Sequence, residues 1–210
     1  MNEMKISEVK NDKEFAIAMQ IYNEAFPPEE KRLESDIKKN LISNNEKMFL
    51  ASKNGIPVLF SMMWQVPGTD FLFLDYIAVK KEFRSSGSGS EFLKTIFERD
   101  SNAEYNHIIL EVEVPCKGTN REQRQKRIRF YKRAGARIIK GFKYYLPPRG
   151  GNEPQEMMLM VISRDSIKRI SGNKIRNVVS LIYTHVYNRN KDDSLLLDLI
   201  SDIPESVNLE

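Results

Sequence analysis

The sequence has little of the residue chemistry on which disulfides and metal sites depend. Its 210 residues include one cysteine, Cys116, and two histidines, His107 and His185, which lie far apart in the chain. One cysteine excludes a disulfide within the chain and a zinc site built from several cysteines. We therefore expect no metal site and, because disulfides belong to oxidising compartments, a cytoplasmic location.

Long apolar runs and a strong imbalance of charge are also missing. No apolar stretch approaches the ~20 residues of a membrane-spanning helix, and the first residues, MNEMKISEVK, lack the apolar core of a signal peptide. The net charge of +4 favours anionic partners only weakly. With 40% hydrophobic and 30% charged residues, the chain is predicted to be an ordinary globular protein without a membrane partner.

The order of strand and helix patterns predicts a mixed α/β fold with an interrupted sheet. The order along the chain is β-α-α-β-β-β-α-β-α-β-β, followed by a helix. Residues 71–79, FLFLDYIAV, are apolar nearly throughout, as in a central strand buried on both faces. Asn54-Gly55 lies between two strand patterns and predicts a hairpin.

The second half of the chain carries clear helix boundaries. Thr119 to Glu122 fits a capping box, and Gly135 fits a C-terminal stop, which together predict a helix over 120–134. ARIIKGFKYYL and QEMMLMVI predict two strands. Apolar residues at helical spacing from Ile175 to Val186 predict a last helix, followed by a polar tail.

The segment FRSSGSGSEFL, residues 83–93, separates the apolar strand from a helical pattern. Its composition is that of a flexible linker, but its position favours a tight turn that opens a helix. Free N–H groups and the positive end of the helix dipole then form an anion site. Gly87 and Gly89 permit backbone conformations that other residues avoid, and Lys80, Lys81 and Arg84 add positive charge. A phosphate-rich ligand is expected.

Known phosphate loops narrow the choice of ligand. The P-loop pattern is absent, and the dinucleotide pattern fails because Phe92 occupies the position of its third glycine. What remains is V-x-x-x-x-R-x-x-G-x-G, formed by Val79, Arg84, Gly87 and Gly89. It resembles the loop that binds the pyrophosphate of acetyl-CoA in bacterial GCN5-related N-acetyltransferases (GNAT).

Two further segments extend this resemblance over roughly residues 3–163. IILEVEV is similar to the fifth strand of the family, and RIRFYKRAGAR is similar to the segment after it, with matches at Phe130, Tyr131 and Gly135. The chain departs from the family at Arg124, where asparagine is usual, and at Arg127, where alanine is usual. Either arginine could reach a phosphate of the cofactor or a carboxylate of the acceptor.

The resemblance implies a fold, a reaction and a domain organisation. It implies a twisted sheet of about seven strands, splayed between the fourth and fifth and flanked by helices. A GNAT domain would span 1–165, and a C-terminal helical extension, 166–210, would pack on it or on a partner subunit. The reaction would move an acetyl group from acetyl-CoA to a primary amine of a small molecule or peptide by direct attack. We expect a monomer or homodimer and no nucleic-acid partner.

Acyl transfer from a thioester to an amine requires a neutral amine, a donor to the oxyanion, a proton for the thiolate and alignment of both substrates. The resemblance implies Tyr131 as general acid and Glu111 as general base. Asp75 and Glu113 are further candidates for the base, since Asp75 sits inside an apolar strand where burial would raise its pKa. A backbone N–H near Ile77 to Val79, where the family's strands splay, would donate to the oxyanion. The predicted cofactor-binding residues are Ile77, Ala78, Val79, Arg84, Ser85, Ser86, Gly87, Ser88, Gly89, Ser90, Arg124, Arg127 and Tyr131.

Other interpretations of the same residues stay open from the sequence alone. The carboxylates could be structural or exposed, and Tyr131 could be a packed core residue. The protein could be a non-catalytic module that binds acyl-CoA. Residues 121–140 hold nine lysines and arginines against Glu122 alone, a composition that also fits an RNA-binding helix.

Overall fold

The computed structural model describes residues 4–43, 46–98, 105–116, 120–148 and 153–210, with the backbone alone at residues 29 and 98. The chain divides into two compact units. The first consists of Met1–Gln65 and Phe73–Ala103, and the second of Val66–Leu72 and Glu104–Glu210. Residues 166–210, expected to form an extension, are part of the second unit.

Strands and helices are interspersed along the described part of the chain, which confirms the predicted mixed α/β fold class. The strands are β1 Lys5–Glu8, β2 Lys47–Lys53, β3 Ile56–Gln65, β4 Phe71–Val79, β5 His107–Glu113, β6 Arg137–Lys140, β7 Tyr144–Leu146, β8 Gln155–Ser163, β9 Arg169–Ser171 and β10 Ser206–Leu209. The α-helices are α1 Asp12–Ala25, α2 Glu34–Ile42, α3 Ser88–Glu98, α4 Arg121–Arg133, α5 Gly172–Leu181 and α6 Ser194–Asp202.

The first unit is built on an antiparallel meander in which β2 pairs with both β1 and β3. The hairpin predicted at Asn54-Gly55 is confirmed, and both residues have positive φ, 52° and 75°, as a two-residue turn of this kind requires. Helix α1 packs on the sheet through an apolar face, with Phe15, Ala18 and Tyr22 in the core of the unit. This core also holds Tyr76 from β4.

The second unit has the strand order β5-β8-β6-β10-β9, and β7 pairs with β8 as well. Strand β5 runs antiparallel to β8, from His107 opposite Ser163 to Glu113 opposite Met157. The strand predicted over ARIIKGFKYYL is two short strands instead, β6 and β7. Gly141 separates them because its φ of 112° takes the backbone out of the extended conformation.

The last residues differ from the predicted polar tail. Helix α6 begins after Asp193, whose side chain accepts a hydrogen bond from the Leu196 N–H at 3.1 Å. Strand β10 then pairs with β6 and with β9, and its Val207 is fully buried. Strands β9 and β10, which were not predicted, and the division at Gly141 bring the described strands to ten where about seven were expected. None of the helices in the described ranges is long and apolar enough to cross a membrane.

Candidate active site

The Gly/Ser segment after β4 forms a defined turn that leads directly into a helix. β4 ends at Val79, a 3₁₀ turn covers Lys81–Phe83, and α3 begins at Ser88. Between them, Ser85 and Gly87 have φ of 66° and 82°, in the left-handed region. Gly89 lies in the first turn of α3, so the expectation that it also needs an unusual conformation is wrong. This geometry favours a binding loop over a linker.

The start of α3 presents several backbone donors. The Glu91 N–H donates to the Gly87 carbonyl at 3.0 Å, and the N–H groups of Ser88, Gly89 and Ser90 precede that bond. Such groups have no carbonyl of their own helix to bind. Because they lie at the positive end of the helix dipole, they can donate to an anion. The Ser86 and Ser88 hydroxyls lie 2.7 Å apart and fix the approach to the helix.

Acidic Glu24 of α1 holds the basic side of this loop, a contact that the sequence analysis missed. Its Oε1 accepts the Lys81 N–H at 2.9 Å and lies 3.7 Å from Arg84 Nη2. Arg84 Nε also donates to the Val79 carbonyl at 3.2 Å. Half of the Arg84 side chain remains exposed, so it can still meet an anion.

The end of β4, where an oxyanion donor was predicted, is anchored on β3. The Lys80 N–H donates to the Val58 carbonyl at 2.9 Å, directly after Ile77, Ala78 and Val79. Ala78 is buried, while Ile77 and Val79 are half-buried. The oxyanion role of this segment stays a prediction.

Asp75 belongs to an ion cluster in the first unit. Arg32 Nη1 lies 2.9 Å from Asp75 Oδ2 and 2.6 Å from Glu46 Oε1. Burial would lower the pKa of Arg32, but the two carboxylates outweigh burial and raise it above its usual range. Asp75 therefore has a guanidinium partner as well as the apolar residues of its strand. The arrangement favours the structural interpretation of this residue.

Glu111 lies in the middle of a tyrosine cluster in the second unit. The Tyr144 hydroxyl donates to its Oε1, and the Tyr187 hydroxyl donates to its Oε2. Burial, followed by the charge of Glu111, raises the pKa of Tyr144 well above its usual value, so that tyrosine stays a neutral donor. Hydroxyl donors favour the ionised form of a carboxylate. Glu111 thus accepts a tyrosine hydrogen bond at each carboxylate oxygen.

Glu113, two residues further along β5, is neutralised by α4. Arg127 Nη1 lies 2.9 Å from its Oε2 and Arg124 Nε lies 3.2 Å from its Oε1. The two arginines that depart from the family pattern therefore share a carboxylate of this chain. The RNA-binding interpretation of α4 loses two of its cations to this contact, and Glu113 is a weaker candidate for the base than Glu111.

Tyr131 lies near the end of α4, which stops at Gly135 as predicted. The Gly135 N–H donates to the Lys132 carbonyl at 3.0 Å, and Gly135 has a φ of 90°. Burial raises the pKa of Tyr131 to about 12, against a smaller opposite effect of Arg127. Its hydroxyl has no hydrogen-bond partner within the part of the chain that the structure describes. Tyr131 is therefore a neutral hydroxyl with a proton to give.

Comparison with protein families decides the identity. The model of the acetyltransferase (GNAT) family matches residues 15–136, which is more than half of the chain. The chain belongs to the GNAT family of acetyltransferases. It is thus an enzyme, an N-acetyltransferase that takes its acetyl group from acetyl-CoA, and its acceptor is a small molecule or a peptide. The predictions of family, reaction and acetyl donor are confirmed.

Solved structures share the GNAT fold of this chain. A GNAT acetyltransferase from Bacteroides thetaiotaomicron superposes with a TM-score of 0.72 at 23% identity, over 89% of this chain and 99% of that chain. A GNAT acetyltransferase from Elizabethkingia anophelis with acetyl-CoA bound gives 0.54 at 17% identity, over 76% and 97%. The ribosomal-protein-S18-alanine N-acetyltransferase from Escherichia coli gives 0.53 at 19% identity, over 79% and 96%. The comparison with curated proteins gave no match.

The residues of the GNAT loop fit a diphosphate. A Cβ atom added at Gly87 would meet no atom within 4 Å, so the space beside its backbone is open to an approaching anion. The three N–H groups at the start of α3 supply donors, and exposed Arg84 supplies charge. We keep the cofactor roles of the loop residues, and of Arg124 and Arg127, as predictions.

Gly87→Ala is expected to weaken the binding of coenzyme A by about tenfold. The left-handed conformation costs a residue with a side chain about 1–2 kcal/mol. If the loop relaxes to relieve this strain, its N–H groups no longer point at the diphosphate. A loss of 1.4 kcal/mol in binding free energy raises the dissociation constant tenfold. Titration calorimetry measures the dissociation constant. Gly55→Ala is the matched control, since Gly55 has a φ of 75° and also no atom within 4 Å but lies in the β2–β3 hairpin. Wild-type affinity in Gly87→Ala would contradict the loop assignment.

Proposed function

We propose that Glu111 and Tyr131 carry the proton transfers of acetyl transfer to a primary amine. The observation that supports this most is the contrast between the two groups. Glu111 is a carboxylate held by two hydroxyl donors, whereas Tyr131 is a buried phenol with a pKa of about 12. A carboxylate that accepts hydrogen bonds and a phenol that stays protonated suit the roles of base and acid in this reaction.

The two proposed groups exchange protons with different atoms, Glu111 with the nitrogen of the amine and Tyr131 with the sulfur of coenzyme A. Acetyl-CoA supplies a thioester carbonyl and a thiol leaving group. Glu111 takes a proton from the ammonium form of the amine, directly or through a water molecule, and the nitrogen then attacks the carbonyl and loses a second proton to water as the N–C bond forms. Tyr131 gives its proton to the sulfur as the C–S bond breaks. Exchange with water then returns both groups to their starting states, so the net reaction yields the acetylated amine and free coenzyme A.

The remaining predicted residues bind and orient. Backbone N–H groups from Ser85 to Ser90 hold the diphosphate, together with Arg84. A backbone N–H in the segment from Ile77 to Val79 donates to the carbonyl oxygen that gains charge. Arg124 and Arg127 hold Glu113 and with it the start of the loop after β5. Asp75 stabilises the first unit through Arg32 rather than carrying a proton.

The proposed acceptor is a primary amine, on either a small molecule or a peptide. An alkyl amine has a pKa of ~10 and is mostly protonated at neutral pH, so a carboxylate base has a task in this reaction. The name of the Escherichia coli enzyme places its acceptor on an alanine of ribosomal protein S18, which is one example of such an amine on this fold.

A screen for free thiol tests the proposed function. Acetyl-CoA and the enzyme are incubated with polyamines, amino acids, aminoglycosides and peptides with free N-termini. We expect release of coenzyme A with at least one primary amine and none with the same compound already acetylated. Tight binding of acetyl-CoA without amine-dependent release across the panel would favour a non-catalytic binder.

We also propose a cytoplasmic monomer or homodimer. Cys116 is exposed and free, which fits a reducing compartment. Size-exclusion chromatography with light scattering measures the oligomeric state.

A further inference from the structure

A residue outside the matched family segment touches the proposed base. The family model ends at residue 136, and Tyr187 lies after a π-helical turn, Ile182–Val186, that continues α5. Its hydroxyl donates to Glu111 Oε2, while Tyr144 of β7 donates to Oε1. Each oxygen of the carboxylate therefore holds one tyrosine hydroxyl, and one of the two comes from the C-terminal region.

The C-terminal region fixes the position of Tyr187 from several sides. Helix α5 is anchored by fully buried Ile175, Val178 and Val179. The Tyr187 ring packs edge-on to Tyr183 with centroids 6.0 Å apart, and Tyr183 packs edge-on to Tyr144 at 6.2 Å. The Tyr183 hydroxyl donates to the Tyr145 carbonyl. A π-helical turn is rare and is found frequently at functional sites.

The backbone after the turn is also tied to the rest of the second unit. The Tyr187 N–H donates to the Ile182 carbonyl at 3.2 Å, and the Arg189 N–H donates to the Tyr183 carbonyl at 2.9 Å. Arg189 Nη2 donates to the Pro148 carbonyl at 3.1 Å. These hydrogen bonds fix the backbone on both sides of Tyr187, whose hydroxyl reaches Glu111 of β5.

We propose that Tyr187 is a positioning residue for the acetyl transfer, whose hydroxyl orients the Glu111 carboxylate and keeps it ionised. The inference rests on the proposed role of Glu111 as base and adds the C-terminal region to the active site. The region would then be required for catalysis as well as for stability.

The charged and titratable groups around Glu111 are consistent with this role. Tyr144 and Tyr183 have pKa values raised mainly by burial and further by the charge of Glu111, so both stay neutral. On α4, Arg124 and Arg127 face Glu113. Asp193 raises the pKa of Tyr183 further, whereas Arg189 lowers it. The Glu111 carboxylate thus has two tyrosine hydroxyls among its direct partners.

The pH profile of Tyr187→Phe tests the inference. A hydrogen-bond donor favours the ionised carboxylate, so the loss of one donor raises the pKa of the carboxyl group. Two or three donors can lower a carboxyl pKa by about two units, so we expect a rise of about one unit when one donor is lost. We expect the acid limb of kcat/KM to move to higher pH by this amount and kcat to fall severalfold. Tyr183→Phe is the control, since its hydroxyl binds a backbone carbonyl; its acid limb should stay in place. Tyr144→Phe should move the limb as Tyr187→Phe does.

A double variant separates this inference from the proposed function. If Tyr187 acts through Glu111, Tyr187→Phe should cause no further loss in the Glu111→Gln background. An unshifted acid limb in folded Tyr187→Phe, or fully additive losses in the double variant, would overturn the positioning role. Unchanged turnover in Glu111→Gln alone would instead overturn the assignment of the base. Thermal melts and coenzyme A binding establish that each variant is folded. If Tyr187→Phe does not fold, the acid limb of Tyr144→Phe tests the same inference.

Discussion

Tyr131→Phe should lower kcat by about 100-fold or more while the dissociation constant of coenzyme A stays unchanged. Removal of a general acid costs about 10²- to 10⁴-fold. Phenylalanine keeps the buried ring of this residue, so the free energy of unfolding should change little. Because the pKa of Tyr131 is about 12, the residue stays protonated at every ordinary assay pH. The defect should therefore be of equal size from pH 7 to 10.

Initial rates of thiol release and calorimetry of coenzyme A binding measure this effect. Tyr105→Phe is a matched control, since it removes the same atom from a tyrosine whose ring lies beneath Arg164 and has no role in the proposed chemistry. Its kcat should equal that of the wild type. A Tyr131→Phe enzyme with wild-type kcat would show that another group or water protonates the sulfur.

Glu111→Gln should lower kcat/KM by about 10²- to 10⁴-fold at neutral pH, the range for loss of a general base. Glutamine keeps the shape of the side chain and can still bond to Tyr144 and Tyr187, but it accepts no proton. The loss should shrink as the pH rises towards the pKa of an alkyl amine, ~10, because the amine is then neutral and needs no base. This recovery distinguishes the variant from Tyr131→Phe, whose defect is independent of pH.

Two other carboxylates provide the controls for Glu111. Glu113→Gln releases Arg124 and Arg127, and Asp75→Asn weakens a buried ion cluster, so both should lower the stability while kcat changes only severalfold. Loss of one partner of a buried pair costs about 3–5 kcal/mol, whereas the partly exposed pairs of Glu113 should cost less; urea denaturation measures both losses. If either variant loses its rate with recovery at high pH while Glu111→Gln does not, that carboxylate is the base.

Local patterns in the sequence predicted the parts of the fold that depend on neighbours in the chain. The apolar run of β4 followed by glycine and serine predicted a strand, a turn and a helix start, and the positive φ of Gly87 agrees with it. The positive φ of Gly135 agrees with the predicted end of α4. Gly89 was misjudged because a residue inside the first helical turn uses an ordinary φ. The helix after Asp193 was missed, although an N-cap aspartate before three leucines was present as a signal.

Partners distant in sequence could not be predicted in the same way. Tyr187 meets Glu111 across 76 residues, and Arg32 meets Asp75 across 43 residues. Such contacts depend on how strands and helices pack, and no local spacing encodes them. The sequence therefore identified Glu111, Asp75 and Tyr131 as candidates but could not distinguish a carboxylate bound by tyrosines from one bound by arginine.

Amide hydrogen exchange at the start of α3 tests the central claim most directly, namely that main-chain donors hold the diphosphate of the acetyl donor. Coenzyme A should slow exchange at Ser88, Gly89 and Ser90, because each N–H would gain an acceptor. Pantetheine, which carries the thiol arm without the diphosphate, should leave those amides unchanged. Unaltered exchange at these three amides in protein that calorimetry shows to be saturated with coenzyme A would contradict the claim.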